Sequence, residues 1–120
     1  MSRFGHEMLN VYQESICFIT WINELLENIP KNLSVHNQLE RASTSIPLNI
    51  AEGNGKHTSA DRCLYFDSAR SSALECAACL DVLVAKQKVD GDKVKKGKDQ
   101  LYQFVSMLIG LIRANSERSV

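Results

Sequence analysis

The side chains of this sequence with the means to do chemistry are few and scattered. Cys76-Ala-Ala-Cys79 has the spelling of a dithiol redox motif or of half a zinc site, and Cys17 and Cys63 bring the thiols to four. A redox pair needs a thiolate stabilised at a helix start that follows a strand, whereas Cys76 lies deep within a helical pattern. Zinc would need two further ligands at matched spacing; Cys63 is thirteen residues upstream and His57 falls in a turn. The cysteines therefore read as small apolar packing residues of a reducing cytosol. Glu52 and His57 are close enough in sequence to form an acid–base couple, but a histidine in a turn is ordinarily just solvated. The Glu-x-x-His pair of di-iron bundles, the phosphate-cradling G-x-x-x-x-G-K-[ST] and G-x-G-x-x-G are all missing from the sequence. With no nucleophile, metal or cofactor site to assemble, the chain is expected not to be an enzyme.

A second group of residues suits binding better than catalysis. Lys56, His57, Arg62 and Arg70 surround one turn, with Asn49 and Asn54 close by and Tyr65 available for stacking. Cations would meet phosphate, while amides and an aromatic ring would touch unpaired bases, so the cluster has the makings of an RNA surface. The competing reading is a polar bundle end that merely positions helix termini. Fourteen basic and fourteen acidic residues cancel over the whole chain, so no global field favours nucleic acid or an anionic membrane. Residues 1–60 carry a net charge of −2 and the remainder +2, an excess lying mostly in Lys86, Lys88, Lys93, Lys95, Lys96 and Lys98. Diluted by Asp90, Asp92 and Asp99, that run reads as a solvated loop and helix start.

Periodicity supplies the elements that must hold these residues. At 120 residues the chain is one domain with a core large enough to do without staples. No apolar run approaches the ~20 residues of a membrane span. The N-terminus lacks an apolar signal core, so a cytoplasmic protein with no membrane contact is expected. Four helices are expected at about 7–27, 34–53, 59–86 and 92–114, with no convincing strand. Met8, Tyr12, Ile16, Ile19, Ile22 and Leu26 form the expected core stripe of the first. Phe18, Trp21 and Leu25 widen it, implying burial on a second side, within the bundle or between subunits. Leu39, Ala42, Ile46 and Ile50 line the second, with Gly53 as its left-handed C-terminal residue. Thr58 with Asp61 forms an N-terminal capping pair for the third, whose inward face is Leu64, Phe66, Ala69, Ala73, Cys76, Leu80 and Leu83. Asp90 or Asp92 caps the fourth, which carries Val94, Leu101, Phe104 or Val105, Leu108 and Leu111 or Ile112. The tail from Asn115 onward reads as polar and frayed. Short connections favour antiparallel neighbours, hence an all-α, antiparallel up-down four-helix bundle.

The most specific stretch is Arg41-Ala-Ser-Thr-Ser-Ile-Pro-Leu-Asn-Ile-Ala-Glu-Gly-Asn-Gly-Lys56. Pro47 inside a helix frees the Ser43 carbonyl and tends to bend the helix. Ser45, Asn49 and Glu52 occupy a polar face that the apolar pattern does not require. Asn49 and Ser45 are suited to satisfying backbone groups at the bend. Arg41 is better placed to bridge to Glu75 on the next helix than to reach Glu52, about three turns along its own.

This segment, followed by Phe66-Asp-Ser-Ala-Arg-Ser-Ser-Ala-Leu-Glu75, resembles a bacterial four-helix-bundle family first named for intervening sequences in large-subunit ribosomal RNA genes. The matching positions are Arg41, Ala42, Ser45, Ile46, Asn49, Ile50, Ala51, Glu52 and Gly53, then Phe66, Ala69, Arg70, Ser72 and Glu75. Ser71 stands where the family usually has glycine. The resemblance implies a ring-shaped homo-oligomer, typically of five subunits, and no established reaction. It also implies association with structured RNA, or, by analogy with accessory subunits of diversity-generating retroelements, with a reverse transcriptase and its template. On that reading Asn49, Glu52, Gly53, Asn54, Lys56, His57, Arg62 and Arg70 are the binding residues. Arg41, Ser45, Pro47 and Glu75 form the structural part of the motif, and Phe18, Trp21 and Leu25 are candidates for the subunit interface. A scaffold that docks proteins and never touches nucleic acid is the alternative.

Overall fold

A computed structural model describes the backbone of residues 4–118 and side chains through residue 116. Four helices form an up-down bundle: α1 (Asn10–Leu26), α2 (Ser34–Gly55), α3 (Ser59–Ala85) and α4 (Gly91–Arg118). Neighbours in sequence are neighbours in space, and α4 closes the square against α1; the diagonal pairs make no close backbone approach. The α2–α3 and α3–α4 seams are extensive, whereas α1 is the shortest helix and the least engaged. No helix of the described residues is long and apolar enough to cross a membrane.

The first helix starts later than its apolar pattern predicts. Gly5–Met8 form a single 3-10 turn, and Leu9 is extended (ψ 127°) before α1 begins at Asn10. The buried stripe of α1 is also rotated from the expected one. It runs through Val11, Ser15, Phe18, Ile22 and Leu25, spaced by four and three, which is the repeat of a helix facing a core. Met8 is exposed and Ile16 is 44% exposed, while Ser15 is 1% exposed. Ser15 can occupy a core position because its hydroxyl donates to the Tyr12 carbonyl at 2.8 Å, leaving no orphan donor in the apolar interior.

That rotation corrects the expected subunit interface. Phe18 and Leu25 lie in the core of the single chain, Phe18 edge-on to Phe104 of α4 with ring centroids 5.5 Å apart. Trp21 is half-buried against α4, where Gly97 leaves a notch: a Cβ there would fall 2.5 Å from the indole carbons. These three side chains join helices of one chain, so the apolar surplus on α1 belongs inside the bundle.

In α2, Leu39, Ala42, Ile46 and Ile50 are buried as their spacing predicts. On α3 the inward residues are Phe66, Ala69, Ala73, Cys76, Leu80 and Leu83, but Leu64 is 65% exposed and points outward. α4 buries Val94, Leu101, Phe104 and Leu108. Thr58 caps α3 by accepting the Asp61 amide at 3.1 Å, and Asp90 caps α4 through a carboxylate that accepts the Asp92 amide. The end of α4 is tied down rather than frayed, since Asn115 is buried and the helix continues to Arg118.

Candidate functional site

The residues singled out for binding converge where α2 ends, α3 begins and α4 finishes. Pro47 is buried within α2, and two residues on, the Asn49 side chain turns back on its own helix. Its amide nitrogen donates to the Ser45 carbonyl at 2.9 Å and to the Ser45 hydroxyl at 2.7 Å. Ser72 of α3 then donates to the same hydroxyl at 2.9 Å. The three polar side chains thus form a half-buried chain of hydrogen bonds across the α2–α3 seam. Arg41 and Glu75 bridge the same seam at 3.6 Å, as anticipated, with both side chains largely exposed. At that exposure the pair adds little stability.

Gly53 does not take the left-handed conformation expected of it. The helix runs on to Gly55, and no described glycine has positive φ. Glycine is required for a steric reason instead, since a Cβ at Gly53 would lie 2.9 Å from the Phe66 ring and 3.1 Å from the Tyr65 Cβ. Gly53 is buried where α2 packs on α3, and its place is in the packing.

Arg62 accounts for most of what remains. Its Nε donates to Asn115 Oδ1 at 2.8 Å, and its Nη1 to the Asn54 carbonyl at 2.6 Å and the Lys56 carbonyl at 3.3 Å. Nη2 lies 3.4 Å from Asn54 Oδ1, and the guanidinium sits over the Phe66 ring, 5.7 Å from its centroid. The fork therefore satisfies carbonyls left unpaired at the end of α2 and staples that end to α3 and α4. A side chain so engaged is a clamp, with four of its five N–H donors directed to acceptors within the chain. Arg70 pairs with Asp67 at 2.9 Å, and the Lys56 ammonium rests 5.0 Å from the Tyr65 ring centre. Glu52 and His57 are exposed and make no hydrogen bond to each other, so no acid–base couple forms.

Cys76 and Cys79 are buried and free within α3. Burial, aided by Cys79 and Glu75, pushes the Cys76 thiol up to about 12. Burial also raises Cys79, with Glu75 adding to the shift and Arg41 opposing it. Both are protonated at neutral pH and unreactive as nucleophiles. Among the described residues no group of histidines, cysteines and carboxylates is placed to hold a metal.

Arg113, near the end of α4, is exposed and unpaired, but most of the free cations lie at the other end. Lys86, Lys88, Lys93, Lys95 and Lys96 are exposed and make no side-chain hydrogen bond or ion pair; Lys98 is bound to Asp81. They surround an ordered turn in which Gln87 is left-handed (φ 59°) and the Lys88 amide closes on the Leu83 carbonyl at 2.9 Å. The run of lysines was visible in the sequence, but its freedom from partners was not.

With the seam and the clamp described, the likeness to known proteins has a structural meaning. Residues 7–110 match the model of a family described as 23S rRNA-intervening sequence protein. The chain belongs to that family. The bundle is also similar to the crystal structure of a protein with unknown function from the S23 ribosomal protein family of Bacteroides thetaiotaomicron VPI-5482. The two are 24% identical, the alignment covers 85% of this chain and 97% of that one, and the TM-score is 0.79, a likeness of fold. No curated protein matches the sequence. The residues that carry the family resemblance are thus mostly those that lock α2 to α3: Ser45, Asn49, Gly53, Phe66, Ser72 and the Arg41–Glu75 bridge.

Proposed function

We propose that this member of the 23S rRNA-intervening sequence protein family is a non-enzymatic, ring-forming helical protein that binds structured RNA or an RNA-handling partner such as a retroelement reverse transcriptase. The observation that carries the reading is the set of five unpaired lysines on the ordered α3–α4 corner. Unpaired, solvated ammonium groups release phosphate counterions on binding, and a ring would repeat the corner around its rim and multiply the local field. The family's own description, which names a ribosomal RNA sequence, points the same way.

A protein-docking scaffold is the second reading. It is favoured by the internal use of Arg62 and Arg70, which turns two cations of the motif end toward acceptors within the chain. Light-scattering mass with and without structured RNA, at low and moderate salt, separates the two. A particle that gains mass with RNA and loses it as salt rises supports RNA binding; indifference at both salts moves the function to protein docking.

A further inference from the structure

One buried side chain of the bundle has an unmet hydrogen-bonding need. The His36 side chain is 6% exposed, and its Nδ1 is buried without a hydrogen-bond partner, alone in this among the buried side-chain nitrogens and oxygens of the described residues. An interior polar atom left so is costly and uncommon. The Glu40 carboxylate, one turn on, stops 4.0 Å from that nitrogen, too far for a hydrogen bond. His36 and Glu40 both line a cleft of about 400 Å³ between α1 and α2. Ile19, Ile22 and Leu26 of α1 give the cleft an apolar wall.

The polar lining is rich in acceptors. The hydroxyls of Ser43 and Thr44 already donate to the Glu40 carbonyl, at 3.0 and 2.8 Å, so each has only lone pairs left to offer. Glu27 also lines the cleft and makes no ion pair or hydrogen bond within the chain, and neither does Lys31. In a neutral imidazole whose Nε2 carries the hydrogen, Nδ1 is an acceptor as well. A nitrogen and a carboxylate oxygen 4.0 Å apart are bridged by one ammonium nitrogen about 2.9 Å from each, its N–H bonds diverging to the two. An alcohol has a single O–H and cannot serve both. The same groups are not placed to hold a metal ion.

We infer that the α1–α2 cleft binds a small aliphatic primary ammonium, whose nitrogen bridges His36 Nδ1 and the Glu40 carboxylate while its hydrocarbon lies on Ile19, Ile22 and Leu26. Glu27 adds a second negative charge, which favours a cation over a neutral molecule. Two sources share this chemistry, a free alkylamine and an amino acid, and Lys31 lines the same cleft where it can meet the carboxylate of the second. The inference does not depend on RNA binding or on assembly.

The test is a nuclear magnetic resonance titration of the isotopically labelled full chain with isoamylamine, leucine and isoamyl alcohol. It is run at mildly alkaline pH, where free imidazole is neutral. A saturable shift of the His36 ring nitrogens and of the α1–α2 amides is expected with isoamylamine, and none with the alcohol. Lys31→Met separates the two sources: it weakens leucine alone where the carboxylate is read, and neither ligand where only the ammonium is. Glu40→Gln changes an exposed side chain, so the variant keeps the helical circular dichroism of the parent. It is expected to weaken binding roughly tenfold, as for loss of a hydrogen bond to a charged group. Equal shifts with the alcohol, or undiminished binding by Glu40→Gln, overturn the ammonium assignment. No shift with either isoamylamine or leucine overturns the site itself.

Discussion

The two ends of the bundle spend their positive charge differently. At one end Arg62 is held by Asn54, Lys56 and Asn115, Arg70 by Asp67, and Lys56 lies over Tyr65. At the other, five exposed lysines stand around the α3–α4 turn, none of them bonded to Asp90, Asp92 or any other acceptor among the described residues. The first end holds much of the family's recognisable sequence, and the second is compositionally plain. A cationic residue in a specific motif can thus be spent on the fold itself. Guanidinium groups are well suited to collecting the unpaired carbonyls of a helix end, and here that is what Arg62 does.

The comparison breaks most sharply at Arg62. Arg62→Met keeps the contact with Phe66 but leaves two carbonyls and two amide oxygens without their donor. A loss of about 2–3 kcal/mol is expected, typical of removing hydrogen bonds to a charged group, and a denaturant titration reads it directly. RNA affinity per folded molecule should not change, and a selective loss of RNA binding would return Arg62 to the binding surface. Gly53→Ala acts at the same end through packing. The added methyl overlaps Phe66, and a cost of roughly 1–3 kcal/mol is expected for overpacking. Phe66→Leu in the same chain should recover part of it, whereas a left-handed glycine would show no such rescue.

The lysine end should behave in the opposite way. Lys88→Glu with Lys93→Glu is expected to leave stability within about 0.5 kcal/mol, as for surface substitutions generally. The same pair should abolish the salt-dependent gain in mass with RNA. Unaltered binding in the double variant would remove the α3–α4 corner from the proposal.

The bundle was legible because its cores repeat at helical spacing with few exceptions, and those exceptions mark the limits of sequence reading. Ser15 and Ile16 exchanged their expected places, since a hydroxyl bonded to its own helix can be buried while an isoleucine can face water at small cost. The pattern places Leu64 inward, because a leucine in phase with an apolar stripe carries no mark of its orientation, yet it is 65% exposed. The Arg41–Glu75 bridge and the Thr58 cap were legible, being short-range or one helix away. The clamp made by Arg62 is not legible in the sequence, because its acceptor on α4, Asn115, lies 53 residues along the chain and its carbonyl acceptors carry no residue-type signature at all.

The single tryptophan of the chain sits in the Gly97 notch between the least engaged helix and α4. Its emission is therefore an optical gauge of one junction alone. If α1 lifts from the bundle before the tightly seamed α2, α3 and α4 let go, the indole becomes solvated while most helical ellipticity persists. Fluorescence and circular dichroism recorded along one denaturant series would then trace separate transitions, resolving the opening of a single helix from the unfolding of the whole.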